Sequence, residues 1–100
     1  MTDTLSLETV PVKDNSVVKR NIADTVFLVP IKGKLVEMKR LLDLNETAEF
    51  LWDRIDGVRS LRAIARELTQ TYEVEEASAL ADTTVFVERL HQAGAVTTES

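Results

Sequence analysis

The chain has 100 residues, 44% of them apolar, which is enough for one folded domain with a modest core. It has no cysteine, which excludes disulfides and thiolate metal sites, and no apolar run near the roughly 20 residues that span a bilayer. The net charge of −5 is uneven: residues 1–44 have seven basic and six acidic side chains (+1), whereas residues 45–100 have five and eleven (−6). The first ten residues lack the pattern of a secretion signal, so a cytoplasmic location is expected.

The sequence before residue 45 predicts a small sheet. Residues 1–16 are polar and show no sustained period, so they are predicted to be a flexible arm. VVKRNI (17–22) alternates and TVFLVPI (25–31) is apolar on both faces, which predicts two strands joined by a tight turn at Ala23-Asp24. LVEMKRLLDL (35–44) predicts a half-buried third strand.

Three helices are predicted to follow, with the short joints of a helix-turn-helix core. Asn45 is a strong N-cap for the first helix, and Gly57 is expected to end it. Ser60 caps the second, and the third covers about residues 75–93 before Gly94. The apolar spacing predicts buried stripes in the three helices. They are Ala48, Leu51, Trp52 and Ile55, then Leu61, Ile64, Ala65, Leu68 and Tyr72, and finally Leu80, Val87 and Leu90, with Phe86 at the margin of the last stripe.

The chain offers no pattern of catalytic groups. His91 is the only histidine, so a metal or acid–base role has no suitable partners, and the serines lack the base of a triad. Three glycines do not form a phosphate-binding loop. Trp52 and Phe86 are candidate peptide anchors, although their helical spacing favours core packing. We therefore expect a binding module with no catalytic residue, metal or cofactor, rather than a small enzyme.

Several short segments, taken in order, resemble the PqqD-like family, whose members are also called RiPP precursor-peptide recognition elements. They are Leu44-Asn45-Glu46 with Trp52, Asp56-Gly57, Ile64-Ala65 with Leu68 and Tyr72, and Phe86 with Leu90 and Gly94. The resemblance covers residues 17–96 and implies an α+β fold: a three-stranded antiparallel sheet followed by a winged-helix-like three-helix bundle. Residues 97–100 would form a tail.

The resemblance also implies a function. Family members bind the leader of a ribosomally made precursor peptide and present it to a modifying enzyme, often a radical SAM protein, without catalysing a reaction themselves. The segment VPIKGKLVEMKRLL is longer than its equivalent in the PqqD proteins of pyrroloquinoline quinone synthesis, which favours a different pathway. The sequence leaves open which peptide, which enzyme and which oligomeric state are involved.

The binding site implied by the resemblance lies between strand three and helix three, where the leader would add to the sheet by β-augmentation. Independently, helix three has small apolar residues opposite its core stripe, where a solvated helix usually has charges, although single exposed apolar residues are also normal. The predicted peptide-binding residues are Leu35, Val36, Glu37, Met38, Lys39, Arg40, Leu41 and Leu42 in the strand, and Ala81, Val85 and Arg89 in the helix.

A winged-helix DNA-binding regulator is the alternative. Its recognition helix would be helix three, in which four acidic residues oppose Arg89, a net charge of −3 that would repel phosphates. A basic cluster near strand three, formed by Lys32, Lys34, Lys39 and Arg40, is compatible with a basic wing. The charge of helix three favours a peptide partner over nucleic acid.

Overall fold

The fold is α+β, as predicted, and the computed structural model describes residues 6–15, 17–30 and 42–99. Strands precede and follow a block of three consecutive helices. In chain order the elements are β1 (Val10–Lys13), β2 (Val17–Ile22), β3 (Thr25–Pro30), β4 (Leu42–Leu44), α1 (Glu46–Arg54), α2 (Leu61–Thr71), α3 (Glu76–Gln92) and β5 (Val96–Glu99).

The three-stranded antiparallel sheet has the order β2-β3-β4. β2 and β3 form a hairpin whose turn residues, Ala23 and Asp24, both have positive φ angles (53° and 68°), the conformation that matches the twist of paired strands. β4 pairs with β3 from Val26↔Leu44 to Leu28↔Leu42, so it lies at an edge of the sheet that the described residues form. Of the predicted third strand, residues 42–44 are confirmed as β4, and residues 35–41 lie outside the described residues.

The prediction of a flexible arm over residues 1–16 is wrong for residues 6–13. Val10–Lys13 form β1, which pairs antiparallel with β5 in a second, two-stranded sheet. Just before it, the carbonyls of Leu7 and Thr9 accept hydrogen bonds from the first backbone N–H groups of α2, each at 2.9 Å. The prediction of a tail over residues 97–100 is likewise wrong for residues 97–99, which belong to β5. The described segments near both ends thus contribute to the folded body.

The predicted helix starts are confirmed. The Asn45 side chain accepts a hydrogen bond from the Ala48 N–H at 2.8 Å and caps α1, and Ser60 caps α2 in the same way through the Ala63 N–H at 3.2 Å. α1 ends at Arg54, earlier than expected, and Gly57, with φ of +79°, lies in the following loop.

The core lies between the helices and the inner faces of the two sheets. On α3 the buried face consists of Ala79, Thr83, Val87 and Leu90, whereas Leu80, predicted to be buried, is only half-buried. Small residues at positions 79 and 83 allow α3 to pack closely on its neighbours. The other buried apolar residues are Val17, Leu28, Leu44, Leu51, Trp52, Ile55, Leu61, Ile64, Ala65, Leu68, Ala95 and Val96.

Candidate functional site

A cleft separates the first turns of α1 from the outer face of α3. Its main part has a volume of about 460 Å³. A smaller hollow of about 160 Å³ continues it towards β4, with Asn45, Ala48, Phe86 and Arg89 lining both parts. The remaining lining residues are Thr47, Leu51, Ala81, Asp82 and Val85 in the main part, and Asp43, Leu44 and Leu90 in the hollow. We call the two parts together the cleft.

The helical repeat of α3 places one set of side chains in the core and another in the cleft. Residues 79, 83, 87 and 90 are buried, whereas positions 81–82, 85–86 and 89, which recur every three or four residues, line the cleft. Val85 is 53% exposed, and it stands beside the half-buried ring of Phe86. The wall formed by α3 is therefore apolar in the middle although it faces solvent.

Charged groups border this apolar centre. Asp82 and Arg89 are both exposed, and within the described residues neither forms a hydrogen bond or an ion pair through its side chain. Asp43, at the β4 end, is exposed as well. The cleft thus combines an apolar strip with charges that have no partner in the described part of the chain.

The strand at the end of the cleft, β4, has a described neighbour on one side alone. In the described part of the sheet, β4 has β3 as its one neighbour, so the backbone groups on its other side are available to a further strand. Asn45 follows β4 directly, and its side chain both caps α1 and lines the cleft. A ligand pairing with β4 would therefore meet α3 as a wall.

The structure brings together the three helix residues of the predicted site, Ala81, Val85 and Arg89, on one wall of the cleft. Leu42 belongs to β4, next to the cleft residue Asp43, whereas the predicted residues 35–41 lie outside the described residues. Contact of any of these residues with a peptide stays a prediction.

Sequence reasoning missed the part of the site formed by α1 and by the acidic end of α3. Ala48 and Leu51 were assigned to the core stripe because of their spacing, yet they also line the cleft. The missed lining residues include Asn45, Thr47 and Asp82. The signal for Asp82 was its position three residues before Val85, on the same helical face.

In the part of the chain that the structure describes, the remaining candidates are His91, Trp52, a metal site and a membrane-spanning helix. His91 is exposed near the end of α3, and Trp52 is 3% exposed, so the core interpretation of the tryptophan is confirmed. Within residues 6–15, 17–30 and 42–99, no three acidic or histidine side chains cluster as metal ligands would. None of the helices in this part of the chain has the length and apolarity to cross a membrane.

Groups with shifted pKa values lie outside the cleft and hold the scaffold together. Hydrogen bonds to Glu49 (2.8 Å) and Asp53 (2.9 Å) raise the pKa of Lys19 and join β2 to α1. Burial lowers the pKa of Lys13, whose ammonium lies 4.8 Å from the centroid of the Trp52 ring. These contacts fix the position of α1, and hence of one wall of the cleft.

Comparison with solved structures identifies the class of fold. The chain is similar to TbiB1 in complex with the TbiA(beta) leader peptide (TM-score 0.71, 16% identity, 89% of this chain and 98% of that one). It is similar to a lasso peptide synthetase B1 complexed with its leader peptide (TM-score 0.71, 22% identity, 88% and 98%). A third structure is the PqqD truncation of Methylobacterium extorquens PqqCD, described as a functional and stand-alone RiPP recognition element (TM-score 0.67, 24% identity, 87% of each chain). At these identities the likeness shows a common fold.

The sequence itself gives the family. The profile of coenzyme PQQ synthesis protein D (PqqD) matches residues 26–96, more than two thirds of the chain. The chain therefore belongs to the PqqD family, which confirms the resemblance found in its sequence. Comparison with curated proteins gives no match.

Proposed function

We propose that the protein is a non-catalytic peptide-binding module. It binds the leader of a ribosomally made precursor peptide as an extra strand beside β4, against the wall formed by α3. It then presents the peptide to a modifying enzyme in the cytoplasm, such as a radical SAM protein. The length of the segment before Asn45 supports a precursor other than that of pyrroloquinoline quinone synthesis.

The observation that carries the proposal is the position of Val85. An exposed valine on a helix usually faces solvent and contacts nothing else. Val85 instead lines a cleft that ends at an edge strand. An edge strand supplies backbone hydrogen bonds to an extended peptide, and an adjoining apolar pocket receives one of its side chains. Membership of the PqqD family and the fold shared with two leader-peptide complexes support the same partner.

Charge supports a peptide over DNA as the ligand of α3. Glu75 and Glu76 are exposed at its start, and Asp82 is exposed in its cleft face. A helix that enters the major groove needs a basic footprint to neutralise phosphates. The exposed carboxylates of α3 would repel the DNA backbone instead.

The test uses a peptide obtained by selection, because the natural leader is not identified. A library of random, displayed peptides is selected on the immobilised wild-type protein, and the best binder is titrated by calorimetry. Val85→Asp should weaken binding at least about tenfold, because it places an unpaired charge against an apolar side chain of the peptide.

The matched control is Val58→Asp, the same change at a 78% exposed valine in the loop between α1 and α2, outside the cleft. It should bind as the wild type does, and circular dichroism should show that both variants are folded. Failure to select any peptide, or unchanged binding by folded Val85→Asp, would overturn the proposed function.

A further inference from the structure

Acidic, apolar and basic side chains follow one another along the face of α3 that lines the cleft. Asp82 comes first, Val85 and Phe86 follow three and four residues later, and Arg89 comes seven residues after Asp82. These intervals place all four side chains on one face of the helix. The cleft therefore presents an acid, an apolar surface and a base, in that order, towards β4.

Among the described residues, the two charges at the ends of this row are left without a charged partner. Arg54 and Arg59 both contact Glu67, and Lys19 contacts Glu49 and Asp53, so the basic residues around α1 are engaged within the fold. By contrast, the side chains of the row have no charged partner within the described residues, as shown above. A ligand that binds them breaks no ion pair among residues 6–15, 17–30 and 42–99.

The length of the row matches a short extended peptide. Seven helical steps of about 1.5 Å place the two charged positions about 10.5 Å apart along the axis. In an extended strand, side chains of one face recur every two residues, so positions i and i+4 are separated by about 13 Å. The long, flexible arginine side chain can cover the difference. For a peptide that runs along α3, the apolar position between them, i+2, then lies over the middle of the row.

We propose that the cleft selects peptides by charge order: an acidic residue at Arg89, an apolar residue over Val85 and Phe86, and a basic residue at Asp82. The preferred ligand thus has the pattern acidic–x–apolar–x–basic, in the chain direction that the pairing with β4 dictates. This inference rests on the proposed function and adds to it the class of leader that the module accepts. Complementary charges at the border of an apolar contact determine specificity and register more than affinity.

The test compares selections from one random peptide library on several forms of the full chain. Peptides selected on the wild type should be enriched in an acidic and a basic residue four positions apart around an apolar one. Arg89→Gln should lose the preference for the acid, and Arg89→Glu should replace it by a preference for a base. In the double variant Asp82→Lys/Arg89→Glu, the order of the two charges should be inverted.

The matched control is Arg66→Glu, the same charge reversal at an exposed position of α2 outside the cleft. It should select the same peptides as the wild type. In a direct titration, a wild-type-selected peptide should bind Arg89→Glu about tenfold more weakly than it binds Arg66→Glu, because an attraction becomes a repulsion.

The outcomes separate the two proposals. Peptides that depend on Val85 but show the same charges on the wild type and on folded Arg89→Glu would overturn the inference and leave the proposed function standing. If no peptide is enriched on any form, the proposed function fails and the inference fails with it. Thermal melts of each variant confirm that the compared proteins are folded.

Discussion

Charged side chains on the two sides of α1 differ in whether they form ion pairs. On the side facing the sheet and α2, charged groups pair with one another, as Lys19 does with Asp53 and Arg54 with Glu67, both at 2.9 Å. On the side facing α3, Asp82 and Arg89 have no such partner in the described part of the chain, and Val85 is exposed between them. On the first side the charges join neighbouring elements, whereas under our proposal the charges of the cleft bind a ligand.

The largest expected effect on the free energy of unfolding is the difference between two valine substitutions in α3. Val87→Ala removes buried methyl groups from a 0% exposed site and should lower the free energy of unfolding by about 1.5–3 kcal/mol. Val85→Ala deletes the same atoms in the cleft and should change it by less than about 0.5 kcal/mol, since alanine also favours helix. Urea denaturation of both variants measures the difference. Equal losses would mean that Val85 is part of the core.

An intermediate effect is expected at the helix caps. Asn45→Ala and Ser60→Ala each remove one capping hydrogen bond and should cost about 1 kcal/mol of stability. Asn45 also lines the cleft, whereas Ser60 does not, so Asn45→Ala alone should in addition weaken binding of a selected peptide. Denaturation and calorimetry on the same two variants separate these roles. An equal effect of both on binding would contradict the position assigned to Asn45.

The smallest expected effect on stability comes from Asp56, in the loop between α1 and α2. The Asp56 carboxylate accepts hydrogen bonds from the backbone N–H groups of Arg59 and Val58, both at 2.9 Å, and these lower its pKa. A lowered folded-state pKa contributes stability above the pKa of the unfolded chain, about 3.9, and the contribution is lost as the pH falls through the folded value.

Asp56→Asn should therefore destabilise the protein by less than about 1 kcal/mol at pH 7, because the carboxylate is exposed and screened. The difference between the variant and the wild type should be smaller at about pH 2 than at pH 7, because protonation of the Asp56 carboxylate removes its contribution as the pH falls below the unfolded-state pKa. Denaturant titrations at the two pH values provide the check, and a difference that is equally large at low pH would show that the carboxylate charge is not its source.

Local chemistry was enough to predict the helix starts and the first hairpin. Asn45 and Ser60 act within three residues of their own positions, and the turn at Ala23-Asp24 needs its two flanking strands alone. β1 escaped prediction because four residues near one chain end acquire their structure by pairing with β5, more than 80 residues away. Such a pairing leaves no periodicity in either segment.

The site was predicted in part for a similar reason. Ala81 and Val85 could be predicted because they are apolar on an otherwise polar helix face. The core face of α3 was misplaced towards Leu80, since alanine and threonine at positions 79 and 83 carry little hydrophobic signal although both are 0% exposed. The contribution of α1 to the cleft depends on how two helices are placed relative to each other, which no single-helix pattern contains.

The central claim is that a peptide joins the sheet at β4. Amide hydrogen exchange, followed by NMR with and without a selected peptide, tests it most directly, because the sheet formed by the described residues ends at β2 on its other side, which serves as an internal control. The account predicts slower exchange at one or more amides of residues 42–44 on peptide addition, together with shifted signals for Val85, and no new protection on β2. New protection confined to β2, or shifted signals at Val85 without any slowing in β4, would contradict it.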